Sequence, residues 1–405
     1  MNKKILLVFL ALVMVISLAA FGACKKEEQA PPVEEVWQWP QTLPIMSGAV
    51  GGVAYAAALA WGTPLADDTG MKVRVVSVES GVVQRRYLAE GRFFAAVLGP
   101  TDQQLRVITQ DMAERDMGAK QWREVYAFSK VNMGFALRGD SDIKSPYDLK
   151  GKKVGWISTW GEPAKNLARA LLRWGNISDD EVTWVPLAGA ADCGPAIRDG
   201  RVDVVFDNST SSPWWYEVEA SPGGLKWMNL DAKKDPEAAV RFEKVFPASV
   251  VWGTVDGGVP SSLGVKSLIG LSAYETIATY DEETVYHVVK WLHENYDRFK
   301  DANPACRSMT IDNFMALAET SFLPIHEGTV RYLKELGMWT DAHETRQQQN
   351  IALLTKWEDA YQTAIGMADD KGIPVNAKSD AWFELWSKYR DSLPYPAFKQ
   401  FRGLD

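Results

Sequence analysis

Between Lys72 and Asp207 the chain alternates short β-branched runs with segments of helix length, and few folds accommodate that alternation. Lys72–Val78 (KVRVVSV) changes character at every second residue, the mark of a half-buried strand. Val83–Glu90 predicts a helix and Phe93–Leu98 (FFAAVL) a short buried strand. Trp122–Phe128 and Met133–Leu137 are two further strands, and Ser145–Leu149 is a helical turn before a strand at Lys153–Ile157. A helix from about Pro163 to Trp174, a strand around Val182–Pro186, a helix around Asp192–Asp199 and a strand at Val202–Asp207 complete the series. Strands separated by such helices indicate βαβ units with parallel sheets.

The set from Lys150 to Phe206 is separate from the one spanning Leu43 to Leu98, so two sheets and two α/β lobes joined by a hinge are expected. About 365 residues is also long for a single core. The expected division is lobe I from 43–135 and 262–330, lobe II from 136–261, and a helical C-terminal region, 331–405, packing on the lobes. From Ser272 onward, apolar residues recur at three- and four-residue intervals, which predicts helices. Pro324 is a stop, and Gly337 a C-cap.

The first 24 residues, with Lys3 and Lys4 ahead of an apolar stretch and small residues up to Cys24, have the layout of an export signal. Gly22-Ala23-Cys24 resembles the lipobox of bacterial lipoproteins, which implies an acylated Cys24 as mature N-terminus and 25–42 as a tether. An uncleaved anchor helix, or cleavage leaving a free Cys24, are the alternatives. On the lipoprotein reading the body sits in the periplasm or on the outer face of the cytoplasmic membrane.

The net charge of −8, without a long basic run, argues against nucleic-acid binding. Cys193 and Cys306 fall in segments assigned to different lobes, so two separate thiols are expected. His287, His293, His326 and His343 form no metal-ligand spacing, and neither a Gly-x-Ser-x-Gly elbow nor a Ser-x-x-Lys set with its partner motifs is present. No catalytic residue, metal or cofactor is implied.

The candidate binding residues lie where strands end. Gly48, Val50, Gly51 and Gly52 lead into a helix near Val53 that carries Tyr55. Bare backbone ahead of a helix N-terminus suits a carboxylate or phosphate, although the same glycines serve a tight strand–helix turn. Ser158, Thr159, Trp160 and Gly161 repeat the logic in the second lobe ahead of Pro163, where Ser158 or Thr159 alternatively caps its helix. Asn208, Ser209 and Thr210 follow the strand ending at Asp207, at the carboxyl edge where open α/β sheets bind ligands. Trp214 and Trp252 are candidates for lining a cleft. Glu79, Ser80, Gly81 and Arg85 stand after the Lys72–Val78 strand, and Arg85 is suited to a ligand carboxylate. Acids beside an anion cradle fit an amino acid, which carries both charges.

Four stretches carry a resemblance to a known family: Ser47–Tyr55, Ile143–Val154 (IKSPYDLKGKKV), Gly200–Phe206 (GRVDVVF) and Leu323–Gly337 (LPIHEGTVRYLKELG). In this order they resemble the solute-binding proteins of tripartite ATP-independent periplasmic transporters, TAXI type. The resemblance implies a two-lobed periplasmic binding protein of type II-like fold that captures a small organic acid or amino acid and delivers it to membrane permease subunits. The binding subunit of an ATP-driven importer and a sensory lipoprotein are the neighbouring readings.

Overall fold

The computed structural model describes residues 37–48, 50, 52–78, 81–98, 113–158, 162–246, 250–319, 321 and 323–394. The signal segment, Cys24 and most of the tether lie outside them. The first sheet begins with β1 (Thr42–Ser47), α1 (Val53–Thr69), β2 (Lys72–Ser77), α2 (Gly81–Ala89) and β3 (Ala95–Leu98). β1 is central: it pairs in parallel with β2 through Ile45↔Val75 and with β3 through Ile45↔Ala95. α1 closes on Gly70, whose φ of 75° is left-handed and lets its N–H reach the Ala66 carbonyl.

β4 (Trp122–Asn132) then runs, with only Met133 between, into β5 (Gly134–Arg138) of a second sheet. That sheet adds β6 (Lys153–Ile157), α3 (Glu162–Trp174), β7 (Thr183–Leu187), α4 (Cys193–Arg198), β8 (Val204–Asp207), α5 (Pro213–Glu219), β9 (Leu225–Trp227) and α6 (Pro236–Val245). Its strand order is β7-β6-β8-β5-β9. β6 is parallel to β7 and β8, whereas β5 is antiparallel to β8 and β9. The sheets are therefore mixed, not parallel as expected.

The chain returns through β10 (Val250–Thr254) and β11 (Lys266–Ile277), which is antiparallel to β4 from Ile269↔Asn132 to Ile277↔Trp122. This corrects the helix expected from Ser272: the strand runs to Ile277, and α7 (Glu282–Glu294) starts only after Asp281, whose carboxylate accepts the Thr284 N–H. From Ser267 on, β11 is buried at every residue. A strand covered on both faces loses its period of two and becomes indistinguishable from a buried helix by pattern. Leu268 packs with the second-sheet core around Phe242, whereas Leu271, Ala273 and Tyr274 pack with the first, so β11 spans both.

Four more helices follow: α8 (Ile311–Ala318), α9 (Glu327–Glu335), α10 (Asp341–Asp370) and α11 (Asp380–Asp391). α10 and α11 cover one face of the first sheet, burying Trp357, Tyr361, Trp382 and Trp386 against Met46, Ala96, Trp122 and Ile277. The indoles of Trp382 and Trp386 are stacked, and Tyr361 meets both edge-on. Cys193 and Cys306 are separate, buried free thiols, and burial pushes Cys306 up to about 11. Among the described residues no helix is long and apolar enough to cross a membrane.

Candidate functional site

Strand direction locates the site. β3 and β4 flank β11 and are both antiparallel to it, so β1 to β4 all run the same way. Leu98, at the end of β3, is level with Ala273 and Ala127, and β4 continues beyond it to Asn132 before entering the second sheet. In that sheet β5 leads away from the crossover, and its first residue, Gly134, faces Asp207 at the end of β8. β6, β7 and β8 thus run back toward the crossover. The carboxyl ends of both parallel sets turn toward it, from opposite sides, which is where open α/β sheets bind ligands.

The turn after β1 begins at Gly48, beside open space. A Cβ at Gly48 would meet nothing within 4 Å, and its carbonyl accepts the Ser77 hydroxyl at 2.9 Å, tying the turn to the end of β2. Val50 is 71% exposed. Gly52 is the extended residue before α1 and has no side chain with which to cap the first amides of that helix. Tyr55 is half-buried on that first turn. Buried Ser47 has a hydroxyl oxygen without a partner among the described residues. Gly51, Glu79, Ser80, Thr159, Trp160 and Gly161 lie outside the described residues, and Gly81 is the first residue of α2.

Several other candidates have structural employment. Arg85 is 3% exposed, buried on α2. The Ser158 hydroxyl donates to the Leu187 carbonyl at 2.8 Å, joining the ends of β6 and β7. Trp252 packs edge-on against Trp174 and Phe242 and donates its indole N–H to Glu243 at 2.6 Å; it belongs to the second-lobe core, where it also borders a recess with Lys233 and Lys266. Trp214 and Trp215 both donate to one oxygen of Asp207, at 3.0 and 2.7 Å. Asp207 is buried, and burial outweighs those bonds to push its carboxyl up to about 6.

The polar run after β8 is divided. Asn208 is exposed at the strand end, and Ser209 accepts the Ser211 N–H and the Ser212 hydroxyl within its own turn. Thr210 is buried: its N–H donates to Asn132, its hydroxyl to Gly257 at 2.9 Å, and its carbonyl accepts the Val259 N–H. It therefore pins the loop after β10 to the end of β4, and is a hinge strut instead of a ligand group. Gly258 makes this possible, with φ of 123° and no room for a Cβ, which would stand 2.2 Å from the Thr210 hydroxyl. Asp256 strengthens the same junction by accepting from Lys130 at 2.7 Å and Asn132 at 3.1 Å. Sequence reading missed this junction, whose one local signal is the Asp256-Gly257-Gly258 turn.

The Leu323–Gly337 stretch is likewise scaffold. His326 is buried and caps α9 by accepting the Gly328 N–H, and burial pushes it down to about 4. Gly328 lets α9 approach α7, since a Cβ there would stand 2.4 Å from the Glu282 carbonyl. Among the described residues no group of His, Cys, Asp and Glu could hold a metal ion.

The model of the NMT1-like family matches residues 45–337, most of the chain. The chain belongs to the NMT1-like family. No curated protein sequence matches it. Among solved structures it is similar to the periplasmic aliphatic sulphonate binding protein SsuA from Escherichia coli, at 18% identity over 78% of this chain and 88% of that one, with a TM-score of 0.43. It is also similar to R. palustris Rpa4515 with adipate, at 15% identity over 80% and 97% with a TM-score of 0.41. A putative sulfonate-binding SsuA from Methylobacillus flagellatus KT aligns at 15% identity over 75% and 96%, with a TM-score of 0.43. At that level of identity and superposition the likeness says nothing of what this chain binds.

Proposed function

We propose that this NMT1-like chain is an extracytoplasmic solute-binding protein of the TAXI type, holding a small organic acid or amino acid between the two sets of strand ends and delivering it to membrane permease subunits. It carries out no reaction. The observation that carries this reading is the convergence of both parallel strand sets on the crossover, with open space beside Gly48 and a glycine, which has no side chain to cap α1, ahead of that helix on one side. A helix N-terminus favours a ligand carboxylate. Gly51, Glu79, Ser80, Thr159, Trp160 and Gly161 join Gly48, Gly52, Tyr55 and Asn208 in the proposed site by their place in sequence. An acylated Cys24 would hold the protein at the membrane.

A thermal-shift panel of organic acids, amino acids and betaines tests the proposal. A true ligand at about 100 times its dissociation constant adds about 2.7 kcal/mol of stability. No response to any of these classes would contradict it. Uptake that collapses with the ion gradient while ATP is maintained separates the TAXI reading from an ATP-driven importer.

A further inference from the structure

We infer that the first lobe carries a second small-molecule site, away from the strand ends, that takes a small organic cation bearing a primary ammonium group. The site is a cavity of about 260 Å³ between β4, the end of α7 and the start of α8, lined among others by Tyr126, His293, Glu294, Tyr296, Asp297 and Asp312. This volume lies just below the roughly 300–1,000 Å³ of sites for drug-sized ligands, so the occupant is small.

The decisive group is Tyr126. It is fully buried, with its ring stacked on Phe314 at 5.9 Å, and its hydroxyl has no hydrogen-bond partner among the described residues. An unmet buried hydroxyl is costly and rare in folded proteins, and here it belongs to a residue that lines the cavity. Burial, reinforced by the negative charge of Asp312, holds this phenol well above its ordinary value, so it stays protonated. Its oxygen can accept from an N–H donor.

The rest of the lining fixes the sign of the occupant. Glu294, Asp297 and Asp312 contribute three carboxylates. Lys300 pairs with Asp297, and Lys290 comes within 4.0 Å of Glu294 while bonding Glu335 at 2.6 Å. Asp312 has no ion pair among the described residues. An anion would meet net repulsion, while an ammonium would find Asp312 and the Tyr126 oxygen. The Tyr296 hydroxyl is already given to the Arg307 carbonyl at 2.7 Å, and the Lys300 ammonium lies over its ring at 5.9 Å, so this residue only walls the cavity. His293 is held by a hydrogen bond between its Nδ1 and the Tyr332 hydroxyl at 2.8 Å.

The test is isothermal titration of the full chain with putrescine at low salt, beside butane-1,4-diol and succinate as neutral and anionic counterparts. Putrescine is expected to bind and the other two are not. Tyr126→Phe removes one oxygen and should weaken binding about tenfold, the usual scale for a hydrogen bond to a charged group. The unliganded variant should melt no lower than the parent, because the lost hydroxyl had no partner. Asp312→Asn, at an exposed position, should weaken binding to a similar degree and guards against a folding defect in the first variant. Failure of putrescine to bind, equal affinity in Tyr126→Phe, or succinate binding as tightly would each overturn the site.

Discussion

The turns after β1 and after β8 both place small and polar residues at the carboxyl end of a parallel strand, yet they do different work. At Gly48 a side chain would meet only open space, and the glycine ahead of the following helix has no side chain to cap it. At Thr210 every polar group of the residue is committed to Asn132, Gly257 or Val259. On the proposed reading the first turn keeps amides for a ligand, whereas Thr210 spends its polar groups on holding two crossings together. Small or polar composition at a strand end is therefore not enough to identify a binding loop; the accounting of partners decides.

The largest expected effect that would break this contrast is at the hinge. Gly258→Val forces a Cβ against Thr210 at a backbone angle that side chains rarely adopt, and should destabilise by about 4 kcal/mol in denaturant titration. A loss under about 1 kcal/mol would mean the junction is loose. Next comes Asp207. Burial raises its folded pKa to about 6 from an ordinary value of 3.8. The charged form is thus the unfavourable one in the fold, and the stability linked to Asp207 is complete below about pH 4, declines as pH rises toward 6 and is level above. The span is on the order of 3 kcal/mol, and Asp207→Asn should flatten that part of the stability–pH curve. An unchanged slope would show that burial does not raise this carboxyl against the bonds from its two indoles.

Smaller changes sharpen the comparison. Thr210→Val removes the hydroxyl bond to Gly257 and should cost about 1 kcal/mol, with ligand affinity within about twofold of the parent. Gly48→Ala should change stability by less than about 0.5 kcal/mol yet weaken ligand binding. The two variants invert one another, and a Gly48→Ala chain that binds normally would remove that turn from the site.

The alternating strands and helices of each lobe were legible because a half-buried strand such as Lys72–Ser77 and an amphipathic helix such as α3 leave different periods in sequence. β11 was not, because burial on both faces erases its period, and β9, three residues long, is too short to leave one. At the site, the turn after β1 was legible because glycine ahead of a helix is a local signal. The fates of Arg85, Thr210 and Trp252 were not. Whether Thr210 meets a ligand or Gly257 is settled by chain 47 residues away, and Trp252 is held by Trp174 and Phe242 in a core that no local pattern announces.

Amide hydrogen exchange, followed peptide by peptide with and without a ligand drawn from the thermal-shift panel, tests the central claim most directly. Slowed exchange in both Gly48–Tyr55 and Ser158–Gly161, on addition of one small molecule, is the predicted result. Tight binding that leaves the exchange of both segments unchanged would contradict it.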